Sequence, residues 1–304
     1  MQSEDRVDVI VSTFNRPALV LRAVRSVLAQ THEHVKVIVV DDASETDTQA
    51  ALQQVQHRID FVAHSHNRGA PAARNTGLRR AASPYVAFLD DDDEYEPKKL
   101  ERQLELLRSA DPSIIGVDAG SRLLGAGRST TVGASIGSEG RCGLLRHAFR
   151  GSMTSTLLYR RDCLEGVLFD EGLPAYQEFD FVLQATRGGT VLPLDEPLVR
   201  IHDHDGPRVS SPENHLRALE ALRKKYASEI ESDERAILVW HWKLGRLNLR
   251  LGQSREAREQ FRLAAASSAA PAWFKTVTAV PAFTLPTMWR AAMAIARLRD
   301  RAIQ

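Results

Sequence analysis

Four short runs rich in β-branched and apolar residues mark the first part of the chain: Val7–Ser12, Val35–Val40, Ile59–Ala63 and Tyr85–Leu89. Each is followed by a stretch with helical features. Pro17 opens the first, where a missing N–H costs nothing, and Val20, Val24, Val27 and Leu28 give it one apolar face. The second runs to about Val55, the third covers Ala72–Ala82, and the fourth starts at Pro97 with Leu100, Leu104 and Leu107 on one side. Ile114–Val117 reads as a further strand. Nearly continuous apolar strands alternating with amphipathic helices predict an α/β fold with a mainly parallel sheet and helices on both faces.

In such sheets ligands bind beyond the carboxyl ends of the strands. Three polar clusters fall at those ends: Ser12-Thr13-Phe14-Asn15, Asp41-Asp42 and Asp90-Asp91-Asp92-Asp93. Four consecutive carboxylates repel unless a cation or solvent intervenes. Asp90 and Asp92, two residues apart, point the same way from an extended end, and hard oxygens there suit Mg2+ or Mn2+ together with phosphate oxygens. A solvated acidic turn before the Pro97 helix is the alternative. The spacing of an EF-hand is absent, as is a P-loop, and Gly125-Ala126-Gly127 lacks the third glycine of a dinucleotide fingerprint.

Four ordered segments carry a family resemblance. They are Val9-Ile10-Val11-Ser12-Thr13-Phe14-Asn15-Arg16, Val39-Val40-Asp41-Asp42-Ala43-Ser44, Asn67-Arg68-Gly69 with Ala73-Arg74-Asn75-Thr76-Gly77, and Phe88-Leu89-Asp90-Asp91-Asp92. Together they resemble the family 2 glycosyltransferases of the GT-A fold, over roughly residues 7–205. The resemblance implies a Rossmann-like sheet that moves a sugar from a nucleotide-sugar donor, with inversion and with a divalent metal, Mn2+ or Mg2+. It implies that Asp42 reads the nucleobase, that Ser12 and Phe14 line the base pocket, and that Arg74 lies near the base or diphosphate. The DxD motif falls on Asp90-Asp91-Asp92. Asp92 is then the principal metal ligand, Asp90 serves the ribose or the metal, and Asp91 belongs to the nucleotide-sugar site. Asn75, Gly77 and Asp41 have purely structural alternatives as helix and turn formers.

The family also places a catalytic carboxylate after an acceptor-side strand. Tyr176-Gln177-Glu178-Phe179-Asp180 supplies two candidates, with Glu178 at the base position and Asp180 two residues on. The usual Asp is a Glu here. Arg200-Ile201-His202 resembles the segment whose His lies near the diphosphate or metal, with His204 as the alternative and Asp203 and Asp205 as loop carboxylates. The competing functions are a sugar nucleotidyltransferase, which would want a Gly-rich signature near the first strand that Ser12–Pro17 does not offer, and a non-catalytic sugar-nucleotide scaffold or sensor.

The remaining segments are less specific. Residues 119–140, rich in Gly, Ser and Thr, predict a flexible excursion, and strand or helix signals resume at Ser155–Tyr159, Glu178–Thr186 and Val199–His202. From Pro212 onward the pattern is helical. The expected division is a catalytic domain over 1–210, with a nucleotide-sugar half to about 118 and an acceptor half over 119–210, followed by a helical extension over 211–304. Leu244, Gly245, Ala257, Phe261 and Ala264 fall at tetratricopeptide-like spacing, but a single copy cannot bury its own face, so an ordinary helix hairpin is the simpler reading.

The net charge of +1 hides an asymmetry: residues 234–304 carry 12 Lys/Arg against 4 Asp/Glu, leaving 28 against 35 in the rest. With Trp273, Phe274, Trp289, Arg290, Arg297, Arg299 and Arg301, this basic end suits an anionic membrane surface, alongside the ordinary alternative of a packed helix. The acceptor implied is a glycan or lipid-linked hydroxyl. Two cysteines, Cys142 and Cys163, make no disulfide framework. The first six residues lack a signal-peptide pattern, and no apolar run reaches the roughly 18 residues of a spanning helix. The expected location is the cytoplasm, peripheral on the inner membrane face. No nucleic-acid module is recognisable.

Overall fold

A strand with apolar residues on both faces needs cover on both faces, and β1 (Val7–Thr13) has it. The computed structural model describes residues 5–125, 128–136, 139–147, 154–202 and 211–278. Val7, Val9 and Val11 join one core with Val20, Ala23, Val24 and Val27 of α1 (Pro17–Leu28) and Leu100, Leu104 and Leu107 of α4 (Lys99–Arg108). Each fully buried valine or leucine among them contributes about 1.5–3 kcal/mol. On the other face α3 (Ala70–Arg80) lies so close that a Cβ on Gly77 would sit 2.3 Å from Ile10 Cγ2. Gly77 is therefore required by the approach of helix to strand. Asp8, on the same face, accepts hydrogen bonds from the backbone N–H groups of Ala82 and Ser83 at 2.6 and 2.8 Å.

β1 pairs in parallel with β2 (Val35–Asp41) and β4 (Tyr85–Asp90), and β2 pairs in parallel with β3 (Ile59–Ala63). Only the first turns of the helix expected up to Val55 are α-helical, as α2 (Thr48–Ala51), and a 3₁₀ stretch carries the chain to Arg58. The remaining strands are β5 (Glu94–Tyr95), β6 (Ile114–Gly125), β7 (Arg128–Val132), β8 (Leu157–Arg160) and β9 (Thr190–His202). The sheet order is β3-β2-β1-β4-β8-β6-β9-β5, with β7 paired to β6. The parallel expectation describes the first four strands and the β6–β9 pair, while β8 runs against both its neighbours. The helices α5 (Gly140–His147) and α6 (Gln177–Ala185) complete this part.

The flexible excursion expected over 119–140 is corrected. Ser121–Gly125 and Arg128–Val132 form an antiparallel hairpin. All five residues of β7 are exposed, so no apolar alternation betrays the strand in sequence; Thr130, Thr131 and Val132 supply β-branched side chains instead.

The chain divides into two compact units. One comprises Met1–Leu144, Phe149–Gly172 and Gln177–Pro207; the other comprises Leu145–Ala148, Leu173–Tyr176 and Arg208–Gln304. The second is helical: α7 (Pro212–Lys225), α8 (Ala227–Glu231), α9 (Glu234–Arg250), α10 (Ser254–Ala266) and α11 (Ala272–Thr278). Ser211 and Asp233 cap α7 and α9, accepting from Asn214 N and from Arg235 N and Ala236 N. α9 and α10 meet at Gly245, where a Cβ would lie 2.5 Å from Phe261. Phe274 is 2% exposed, packed with Phe261 and Trp242, and so is not free to meet a membrane as the sequence suggested. Trp289, Arg290, Arg297, Arg299 and Arg301 lie outside the described residues, as do Ala126, Gly127, Asp203, His204 and Asp205. Among the described residues no helix is long and apolar enough to cross a membrane.

Candidate functional site

From β1 the chain moves outward to β2 and β3, then returns to lay β4 on the other side of β1. This reversal opens a crevice beyond the carboxyl ends of β1 and β4. The three polar clusters lie there because the three strands end there.

Two loops of the crevice are laced together. Asn15 takes φ 56°, which asparagine tolerates better than most residues. Its N–H donates to Ser44 Oγ at 2.8 Å, and its Oδ1 accepts from Glu45 N at 2.7 Å. Asp41 Oδ1 accepts from Ser44 N and Oγ, a turn-closing role. Ser12 is buried, while Phe14 stands 42% exposed on this rim. Asp42 is buried, and its carboxylate accepts from the N–H groups of Arg68 and Gly69 and from His64 Nδ1 at 2.7 Å. A carboxylate only accepts, so Nδ1 carries the proton and Nε2, 2.9 Å from Thr76 Oγ1, is left to accept when the ring is neutral. Gly69 has φ 88°, a conformation that glycine adopts at no steric cost. Asp42 thus folds the loop over 64–69 around itself.

The extended end expected for Asp90 and Asp92 is corrected: β4 stops at Asp90 and a tight turn closed by Asp93 N–H on the Asp90 carbonyl follows, so Asp90 meets Arg74 while Asp91 and Asp92 share Arg16. Asp90, in register with Ser12, faces α3. There Arg74 Nη2 donates to Asp90 Oδ1 at 2.6 Å and Nη1 donates to Glu178 Oε1 at 2.9 Å. Arg74 is buried, with its guanidinium 5.3 Å from the Phe169 ring. Phe169 stacks on Phe181 at 4.2 Å, and Asn75 holds it from both sides, donating to its carbonyl at 2.9 Å and accepting its N–H at 2.8 Å. Asn75 is therefore more than a helix former.

Asp91 faces the other way. It accepts from Thr13 Oγ1 at 2.8 Å and from Arg16 at 3.0 Å, and the same Arg16 nitrogen reaches Asp92 Oδ2 at 2.8 Å. Burial pushes the Asp91 carboxyl up in pKa, while Thr13 and Arg16 pull it down. Asp93 turns inward to Ser155; burial, then the charge of Asp90, raises it to about 8.

Glu178 and Asp180 are separated by the helix geometry. Residues two apart point about 200° from each other. Glu178 faces Arg74 and keeps part of its side chain open, whereas Asp180 is wholly buried and accepts from Gln184 Nε2 at 2.7 Å. The structure brings Glu178, Arg74 and Asp90 together and turns Asp180 into the interior. His202 Nε2 lies 2.8 Å from Glu94 Oε1. Among the described residues no group of three His, Cys, Asp or Glu is arranged to hold a metal. Asp90 and Asp92, each paired here to an arginine (Arg74 and Arg16), are hard oxygen donors of the chemistry such an ion takes, since Mg2+-type sites commonly use one or two carboxylates plus substrate phosphates.

Sequence reasoning missed Lys99. It lies four residues before Gln103 on the buried side of α4, donating to Gln103 Oε1 at 2.8 Å, with its ammonium 4.0 Å from the Tyr95 ring centroid. Burial pulls its pKa down to about 7, against the opposing charge of Asp118. In the unfolded chain a lysine titrates near ~10.4. Between about pH 7 and 10.4 the unfolded state therefore binds more protons, and unfolding free energy rises with pH; below that window both states are charged and the folded one carries the full cost. Lys99→Met is expected to flatten this rise by an amount on the order of a few kcal/mol. Urea unfolding at both ends of the window measures it, and an undiminished rise in the variant contradicts the assignment.

The profile of Glycosyl transferase family 2 matches residues 8–161. A putative teichuronic acid biosynthesis glycosyltransferase, TuaG of Bacillus subtilis (strain 168), is 44% identical over 104 residues, covering 33% of this chain and 41% of that protein. The matched stretch thus spans less than half of that relative's length. Among solved structures, S. aureus TarS 1–349 in complex with UDP-GlcNAc superposes with a TM-score of 0.67 at 17% identity, covering 85% of this chain and 81% of that one. The mannosyltransferase PcManGT from Pyrobaculum calidifontis, in complex with GDP-Man and Mn2+, gives a TM-score of 0.56 at 20% identity over 98% of this chain and 86% of that one. At these identities the two structures share the fold.

Proposed function

This chain belongs to glycosyl transferase family 2, and from that premise we propose that it moves a sugar from a nucleotide-sugar donor to an acceptor hydroxyl in one displacement that inverts the anomeric carbon. The observation that carries the reading is the Arg74 bridge between Asp90 and Glu178, at 2.6 and 2.9 Å, in the crevice at the strand reversal. In this reading Phe14 offers an exposed ring for a nucleobase to stack on, Ser12 lines the same pocket, and Asp42 acts on the base side through the loop it organises. Asp90 flanks the ribose and diphosphate, while Asp91, buried against Thr13 and Arg16, serves the site only through the arginine it holds. TarS is in complex with UDP-GlcNAc and PcManGT with GDP-Man, which supports a nucleotide-sugar without choosing its base.

The acceptor oxygen attacks the anomeric carbon, the bond from that carbon to the diphosphate oxygen breaks, and the electron pair leaves on the nucleoside diphosphate. Glu178 takes the hydroxyl proton. Arg74 engages Glu178 Oε1, which leaves Oε2 for the acceptor, and a base so placed contributes about 10²–10⁴-fold. Asp90 and Asp92 would hold a Mn2+ or Mg2+ ion, which when bound supplies charge neutralisation on the leaving diphosphate. His202 would join only by giving up Glu94. Arg16 positions Asp92 from the side away from Arg74.

The purified chain, given UDP-, GDP- and dTDP-sugars with Mn2+, should release one nucleoside diphosphate, and Asp92→Ala should remove most of that release. Equal release by variant and wild type, or none from any donor, removes the reading.

For the acceptor we propose a glycan or lipid-linked hydroxyl, reached from the inner membrane face through the basic end of the chain. Since Phe274 is part of the core of its unit, the informative truncation falls after Thr278. The full chain should sediment with anionic vesicles and the truncated one should not; equal sedimentation sinks the membrane attachment.

A further inference from the structure

The acidic run turns on a single buried hydroxyl. Asp93 N–H donates to the Asp90 carbonyl at 3.1 Å, closing a tight turn. Ser155 Oγ spans the same two residues: it accepts the Asp90 N–H at 3.1 Å and donates to Asp93 Oδ2 at 2.6 Å. Ser155 is fully buried, in the 3₁₀ turn Thr154–Thr156 that leads into β8.

That turn is itself fixed from below. Thr156 Oγ1 donates to Asp118 Oδ1 at 2.5 Å, and Asp118 Oδ2 accepts the N–H groups of Ser135 and Ile136. Gln103 Nε2 donates to the carbonyls of Thr156 and Val117 at 2.8 and 2.9 Å, and Lys99 holds Gln103. Ser155 therefore links this hydrogen-bonded layer to a turn whose part-exposed carboxylates are Asp90, held by Arg74, and Asp92, held by Arg16. Its neighbour Thr154 is also buried, yet among the described residues its hydroxyl has no hydrogen-bond partner.

We propose that Ser155 is the positioning residue of the acidic turn: by bonding both ends of it, Ser155 sets the separation of the Asp90 and Asp92 carboxylates that receive a divalent metal and the donor diphosphate. The inference rests on the donor-site reading above. Supporting groups of this kind typically change metal affinity by about 10–100-fold when removed. The contrast between Ser155 and Thr154 isolates the effect, because both substitutions remove one buried hydroxyl from one turn and only one of those hydroxyls touches the acidic run.

The experiment measures Mn2+ binding by electron paramagnetic resonance of the free ion, with the full chain and a saturating UDP, GDP or dTDP. Wild type establishes the donor-site reading: no nucleotide-dependent Mn2+ binding would sink that reading, and this inference with it. Given binding, Ser155→Ala is expected to raise the Mn2+ dissociation constant about 10-fold or more, with Thr154→Val staying near wild type. Ser155→Cys keeps nearly the same shape with a weak donor; it should shift the constant in the same direction and covers the case in which Ser155→Ala does not fold. Equal constants for wild type, Ser155→Ala and Thr154→Val, or a wild-type constant for Ser155→Cys, would overturn the inference while leaving the donor site standing.

Discussion

Glu178→Gln is expected to lower kcat by about 10²–10⁴-fold with little change in donor KM. Gln keeps the length of the side chain and a carbonyl oxygen for Arg74, so the bridge seen at 2.9 Å can persist. It loses the capacity to take a proton from the acceptor hydroxyl. Asp180→Asn gives the contrast. Asp180 is wholly buried and bonded to Gln184, so its replacement should act on thermal stability and leave kcat of the folded enzyme within a few-fold. If Glu178→Gln retains near-wild-type turnover while Asp180→Asn loses it, the base has been assigned to the wrong carboxylate.

Arg74→Met should damage both stability and turnover. The arginine is buried, and it holds two carboxylates that are 33% and 28% exposed in their side chains. Removing one partner of a buried ion pair costs about 3–5 kcal/mol; partial hydration of Asp90 and Glu178 reduces that to roughly 1–3 kcal/mol here. The two carboxylates would then face each other without the cation that sets their spacing. A displacement of the base by about 1 Å can cost on the order of 10²-fold, and the loss should fall on kcat more than on acceptor binding. Arg74→Lys should not rescue it, since an ammonium cannot reproduce a planar fork that serves two carboxylates at once. Steady-state kinetics and urea unfolding of both variants test this. Full activity in Arg74→Lys would mean that the charge matters and the fork does not.

Much of this site was legible in the sequence. The runs Val7–Ser12, Val35–Val40 and Tyr85–Leu89 are apolar because most of those strands is covered on both faces, whereas Ile59–Ala63 lies half-buried at the sheet edge; the polar ends are consecutive with the strands. The clusters Ser12–Asn15, Asp41-Asp42 and Asp90–Asp93 could therefore be named from strand ends, whereas Arg74 and Glu178, on helices, come only with the family resemblance. The partnerships were not legible. Arg74 meets Glu178 across 104 residues of sequence and Asp90 across 16, and nothing in local pattern says which of several carboxylates an arginine will find. The resemblance favours Glu178 over Asp180, but that one faces Arg74 and the other the interior shows only once α6 is rotated into place. Phe169 looks like any apolar loop residue, and only the clamp from Asn75 shows it to be the platform under Arg74. Lys99 and Gln103, polar residues outside the Leu100, Leu104 and Leu107 stripe, lie at i and i+4 on the buried side. The β6–β7 hairpin was unreadable for the opposite reason, because an all-exposed strand has no burial pattern to display.

Metal-dependent donor binding tests the central claim most directly. Thermal unfolding of the full chain would be followed with UDP-, GDP- and dTDP-sugars, each with and without Mn2+. A ligand at about 100 times its Kd adds about 2.7 kcal/mol to stability. The account predicts a raised midpoint for one nucleotide class, present only with the metal and lost in Asp92→Ala. No rise with any donor, with or without Mn2+, would contradict it.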